Sequence, residues 1–201
     1  MTGFTRKAAW LLGILLAANA WQLLAQNQSD NANTTIDSEA SFIASYLPTL
    51  YRHAQQADII AALQQAGKLP FSLQRTLQKD KNWHKDTALQ RRIAENALSH
   101  QFKKIVNDTN NTTSEILLID RYGRLVAAYP TPSDYYQGDE AKFIRPASDK
   151  NYFVDRADWD ESSGSVAIQI AMPVFDQQQF IGVLVKGVEV DLRILTRIKI
   201  D

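Results

Sequence analysis

The hydrophobic period of this chain changes once, and the change limits the possible folds more than any other feature. Up to about residue 106 the apolar residues recur every three or four positions, and from Glu115 onward they alternate. The first spacing is one face of an α-helix, the second one face of a half-buried strand. Helices followed by strands, without regular alternation of the two, specify an α+β domain with an antiparallel sheet.

In the helical half, Ile36, Ala40, Ile43, Leu47, Leu50, Ala54, Ala57 and Ala61 form a single stripe. Asp37 supplies an acidic start, Gly67 and Pro70 a stop, and Pro48 predicts a kink or a break. The stripe either covers the domain's own sheet or pairs helix 36–66 with a second copy as a homodimer, because its spacing also suits a coiled-coil seam. "PFSLQRTLQKDKNW" reads as a short helix and a loop. A second long helix is predicted from Thr87, where Thr87 and Gln90 make a capping box. Leu89, Ile93, Ala97, Phe102 and Ile105 form its inner face, and "NDTNNTTS" ends it.

In the strand half, "EILLID" and "RLVAAY" flank "RYG", a hairpin in which Gly123 supplies the left-handed conformation of a tight turn. "SVAIQIAMPVF" places Val166, Ile168, Ile170, Met172 and Val174 on one face, "DQQQ" turns, and "FIGVLVKGVEV" returns. Asp191 is expected to cap a short terminal segment, Leu192 to Ile198. Between the two hairpins lies "PASDKNYFVDRADWDESSG", residues 146–164, which reads as a polar loop carrying adjacent aromatics.

The amino terminus bears on location. Arg6 and Lys7 precede an unbroken small and apolar run from Ala8 to Ala18, and Ala18-Asn19-Ala20 fits a signal-peptidase site. Residues 1–25 are therefore a secretory signal peptide or an uncleaved membrane anchor, and either places the remainder in the periplasm. Residues 26–35 form a polar tether, and residues 36–201 the exported domain.

Several chemistries are disfavoured. The absence of cysteine removes disulfides, thiolate catalysis and cysteine-based metal sites. His53, His84 and His100 have no metal-ligand spacing. The acidic run Asp155, Asp158, Asp160 and Glu161 lacks the spacing of a calcium-binding EF-hand loop. The 22 Lys+Arg and 22 Asp+Glu cancel, so no nucleic-acid footprint is expected. No nucleophile–base pattern marks a hydrolase, and neither an enzyme nor a cofactor is expected.

"LLIDRYGRLVAAYP", "YQGDEAKFIRPASDKNYFVDRA" and "GSVAIQIAMPVFDQQQFIGVLVKGVEVDL" occur in that order. Their succession, over roughly residues 115–192, resembles the Cache domains, the extracytoplasmic PAS-like sensor modules of bacterial chemoreceptors, histidine kinases and cyclic-nucleotide enzymes. The resemblance implies a PAS-like sheet with long helices (about 36–106) packed on it, and a sensing or binding role. One sheet, rather than the two of double Cache receptors, and no output segment imply a single Cache module acting through a separate membrane or periplasmic signalling partner.

In that family the ligand sits between the sheet and the loops crossing it. Carried over, this implies Ser148, Lys150, Tyr152 and Phe153 as one wall of a small-molecule pocket. Arg145 just upstream offers a bidentate clamp, and Lys150 a partner for a carboxylate. Gln169 and Lys186 are added because each is a polar position inside an otherwise apolar strand. A small carboxylate or amino acid is the expected ligand. The alternative is a dimerisation or envelope-assembly module that binds no ligand.

Overall fold

The computed structural model describes residues 40–108, 112–160 and 165–189. Five strands form one antiparallel sheet: β1 (Thr113–Asp120), β2 (Leu125–Tyr129), β3 (Phe153–Asp160), β4 (Ser165–Asp176) and β5 (Gln179–Glu189). Their order is β2-β1-β5-β4-β3, so the last strand in sequence lies at the centre. This is the expected α+β, PAS-like arrangement.

Both hairpin turns follow from local chemistry. In the β1–β2 turn Gly123 has φ 81°, and the Asp120 carboxylate accepts from the backbone N–H of Tyr122 (2.9 Å) and of Arg124 (3.0 Å). The same carboxylate pairs with the Arg124 guanidinium at 2.7 Å. Between β4 and β5, Gln177 and Gln178 both take positive φ (45° and 71°), the two-residue turn whose twist matches the strands. Pro173 lies in β4 beyond Ala171, where pairing with β3 ends, so this edge tolerates a missing N–H.

The alternation assigns the two faces of the sheet. Ile116, Leu118, Ile168, Ile170, Met172, Val174, Leu184 and Val188 point one way. They pack on a helix covering residues 40–54 (α1), on α2 (Ala57–Lys68) and on α5 (Ala97–Val106), through Leu50, Ala54, Ile59, Leu63, Leu98 and Phe102. Leu117, Ile119, Ala171, Val183 and Val185 point the other way, towards Trp83, Leu89, Ile93, Tyr135 and Phe143.

The helical half departs from expectation in three places. Pro48 lies inside α1, and the break falls later, at Gln55 and Gln56. There the N–H groups of both residues bond three residues back, and Gln56 is extended (φ −67°, ψ 139°). Pro48 deprives only the carbonyl of Ala44 of its helical partner, and Ala44 is exposed, so water replaces that bond. After α3 (Leu73–Lys81), the predicted helix 87–106 is two helices, α4 (Thr87–Ala94) and α5. Asn96 makes the corner: its side chain accepts from Ser99 N (3.0 Å) and donates to the carbonyls of Ile93 (3.0 Å) and Val126 (3.0 Å).

The chain thus passes around the edge strand β2, leaving Leu89 and Ile93 on one face of the sheet and Leu98 and Phe102 on the other. Ala97, expected inside, is exposed. The start of α4 is capped by Asp86, which accepts from Leu89 N at 2.9 Å, and not by Thr87. Gln90 instead donates to the Trp83 carbonyl (2.8 Å).

As far as residue 160, the stretch 146–164 is not a loop. Its first residues end a helix, α6 (Ala141–Asp149), and Phe153–Asp160 is the edge strand β3. Lys150 closes α6 in the left-handed conformation, φ 56°. The expected cap at Asp191 and the segments before residue 40 lie outside the described residues.

Candidate functional site

Helix α6 lies across β3, β4 and β5, on the face opposite α1, α2 and α5. Phe143 and Pro146 are buried, and Phe143 packs edge-on to Phe180 at 6.3 Å. Beneath this apolar contact the sheet carries a polar row. Strand register places Glu115, Gly187, Gln169 and Asp155 side by side across β1, β5, β4 and β3. The neighbouring row is Leu117, Val185, Ala171 and Phe153.

Glu115 is 2% exposed, and its Oε1 accepts a hydrogen bond from Gln169 Nε2 at 2.5 Å. Because β5 runs between these two residues, the bond passes over Gly187. A Cβ on Gly187 would stand 2.6 Å from Glu115 Cγ and 2.5 Å from Ser114 Oγ, well inside van der Waals contact. The missing side chain therefore lets β1 and β4 communicate over the central strand.

The start of α6 supplies the opposite charge. Lys142 is 8% exposed, and its Nζ lies 2.9 Å from Glu140 Oε2. Burial opposes its charge, but the adjacent Glu140 carboxylate, with Glu115 and Asp134 beyond it, more than offsets this and raises its pKa. Burial pushes Glu140 and Asp134 upward despite the same lysine. Next to them Gln137, fully buried, donates to Asp134 Oδ1 (2.6 Å), while its Oε1 has no hydrogen-bond partner among the described residues. The loop holding Gln137 is fixed by Asp80, which accepts from Tyr135 N and Tyr136 N (both 2.8 Å), and by Gln137 N donating to the Gly123 carbonyl (2.8 Å).

The arrangement is a buried patch bearing both signs of charge and an unused acceptor, walled by apolar side chains. Such a patch offers hydrogen-bonding and charged partners of both signs.

The residues singled out from sequence are dispersed. Gln169 and Phe153 share the face beneath α6, in adjacent rows. Arg145 is on α6, paired with Asp149 at 3.4 Å, its guanidinium 5.9 Å from the Phe153 ring centre. Ser148 is exposed and hydrogen-bonds within α6, to the Arg145 carbonyl (3.1 Å) and Asp149 Oδ1 (2.7 Å). Lys150 turns back to the Ala147 carbonyl and lies 4.4 Å over the Phe180 ring.

Tyr152 is exposed and, with Lys150, borders an open groove of about 750 Å³ against Leu47 and Tyr51 of α1 and Met172 and Phe175 of β4. Lys186 is on the other face of the sheet, under α1, so it does not join Gln169. Glu115, Gln137, Glu140 and Lys142 were not anticipated. The available signal was Glu115, the one acid inside "TSEILLI". Among the described residues no group of three or more His, Asp or Glu side chains is placed to hold a metal ion.

No protein-family model matches the sequence, and no curated protein matches it either. Solved structures do. The sensor domain of the V. cholerae histidine kinase DctB is 13% identical, with a TM-score of 0.54 over 90% of this chain and 61% of that one. The chain has the fold of a Cache-type, PAS-like sensor domain.

The ligand-binding domain of the Pseudomonas aeruginosa PAO1 amino-acid chemoreceptor PctC, solved with GABA, is 13% identical, with a TM-score of 0.48 over 83% of this chain and 62% of that one. The corresponding domain of Campylobacter jejuni Tlp3, solved with L-valine, is 14% identical, with a TM-score of 0.44 over 90% and 65%. The chain spans about three fifths of the length of the first two of these solved domains.

Proposed function

We propose that this Cache-fold chain is an extracytoplasmic sensing domain that binds a small amino acid or carboxylate between α6 and the sheet and signals through a separate protein. The observation carrying this reading is the buried two-sign patch, in which Lys142 offers a partner for a ligand carboxylate, and Glu115 with Gln169 one for an ammonium group or a hydroxyl. Burying charge on both sides of a sheet–helix contact is costly for a merely structural core. A ligand with charges of both signs adds further partners to these groups, and the unused Gln137 Oε1 accepts one of its donors.

Phe153 and Gln169 form the floor of this site, Arg145 and Ser148 lie on the outer side of α6, and Lys150 and Tyr152 border the groove beside α1. The sensor role of the V. cholerae domain that shares the fold supports the same reading. The reading of residues 1–25 as a signal peptide or anchor, followed by the polar tether 26–35, supports a location outside the cytoplasm.

A thermal-shift screen of the full chain against amino acids, organic acids and amines tests the proposal. A ligand at 100 times its Kd stabilises by about 2.7 kcal/mol. The expected hit weakens at least about tenfold in Gln169→Ala and in Lys142→Met, since each removes a hydrogen bond to a charged group. A folded protein that responds to nothing, or a hit indifferent to both substitutions, refutes it. The groove beside Tyr51, which is 57% exposed, supports a second reading in which α1 mediates a homodimer. A strictly monomeric mass by light scattering excludes that reading.

A further inference from the structure

Lys186 is a charged side chain for which the ligand site beneath α6 has no use. It sits on the central strand β5, 6% exposed, paired across the sheet with Ile116 and Ile170 on the face covered by α1, α2 and α5. Its Nζ makes no ion pair and no hydrogen bond among the described residues, and its one aromatic neighbour is the Tyr46 ring at 5.5 Å. Burial lowers its pKa, and no described carboxylate opposes that shift.

A cavity of about 20 Å³ adjoins it, enough for one water-sized particle. Four polar side chains reach this cavity: Lys186 at the base, His53 from α1, Gln56 at the start of α2 and Gln101 from α5. Among the described residues no acidic side chain lines it. Burial, then the positive charges of Lys186 and Arg52, lower the pKa of His53, so its neutral ring keeps an N–H to donate. Gln56 and Gln101 are exposed and form the mouth, each with an amide NH₂. The remaining lining is apolar, with Leu50, Ile59 and Phe102 among it.

We infer that this cavity binds a monatomic anion, chloride or another halide, on Lys186, at a site separate from the one beneath α6. A buried ammonium group without a counter-ion is costly, and an anion beside it neutralises the charge in place. All four side chains can donate an N–H and one of them is cationic, which disfavours a cation, and the room excludes sulfate, acetate and larger carboxylates. Exchange proceeds past Gln56 and Gln101. The anion lies between α1 and the strand at the centre of the sheet, so its binding ties the first helix to the core.

The test replaces gluconate with chloride at constant ionic strength in solutions of the full chain. The melting temperature of the wild type is expected to rise and saturate, and that of Lys186→Met to stay fixed. The ring resonances of His53 move with the same midpoint, which places the anion in this cavity. Bromide substitutes for chloride and sulfate does not. Should Lys186→Met fail to fold, Gln101→Ala at the exposed mouth serves instead, with chloride affinity reduced at least tenfold. Equal chloride responses in wild type and variant, a motionless His53, or sulfate acting as well as chloride each overturn the inference and leave water as the occupant.

Discussion

Gly187→Ala is the most informative single substitution in this domain, because two well-understood effects oppose each other there. In a strand interior, replacing glycine by alanine ordinarily stabilises by about 0.5–1 kcal/mol, through reduced freedom of the unfolded chain. Here the new methyl group meets Glu115 Cγ at 2.6 Å and Ser114 Oγ at 2.5 Å. Both are side-chain atoms, so the backbone holds and Glu115 rotates away. The bond from Gln169 Nε2 to Glu115 Oε1 is then lost. A hydrogen bond to a charged group is worth about 1.5–3 kcal/mol. The net expectation is destabilisation by about 1–2 kcal/mol, opposite in sign to the usual strand value.

Urea unfolding of the full chain measures it, and a double-mutant cycle assigns it. In a Gln169→Leu background the bond is already absent, so the cost of Gly187→Ala should fall by at least about 1 kcal/mol. A neutral or stabilising Gly187→Ala, or a cost unchanged in the Gln169→Leu background, refutes the claim that the glycine exists to let β1 reach β4.

Asp120→Ala removes the acceptor for two backbone N–H groups and strands the buried Arg124, so a loss of about 3–5 kcal/mol in urea unfolding is expected. Asp120→Asn, which keeps an oxygen for the two N–H groups, should cost distinctly less. His53 has its pKa lowered from the ordinary 6.5 by burial first and neighbouring positive charge second. The unfolded chain therefore takes up this proton more readily, and the stability the group contributes is present above pH 6.5 and lost as pH falls towards its lowered folded value. His53→Gln should flatten the stability–pH curve below pH 6.5, and a curve identical to wild type contradicts the assignment.

The strands β1, β2, β4 and β5 were legible because each is a short apolar, β-branched run bounded by turn residues, and Gly123 marks the first turn. Strand β3 was not, since four of the residues from Phe153 to Asp160 are charged (Asp155, Arg156, Asp158 and Asp160), with acids at both parities. Helix α6 is nine residues long with Pro146 inside it, a pattern that reads as a breaker. The corner at Asn96 has no glycine or proline to announce it, and its bond to the Val126 carbonyl exists only in the folded chain.

The site was half legible for a related reason. Gln169 and Lys186 were equally conspicuous as polar interruptions, but which face each takes depends on the pairing of β4 with β5. The observed partners are Gln169 with Gly187 and Ile170 with Lys186, which sends the two side chains to opposite sides. Lys142 was invisible because a lysine on an amphipathic helix looks solvated until its neighbours are placed.

The strand order has a consequence for how the protein is made. The hairpins β1–β2 and β3–β4 come first along the chain, yet they never pair with each other, and β5 alone joins them. As the polypeptide emerges in order, two separate ribbons with open edges form, and neither has its sheet partner until residue 189 has been synthesised. Closing the sheet brings Glu115 opposite Gly187, a contact distant in sequence, which makes assembly late and cooperative.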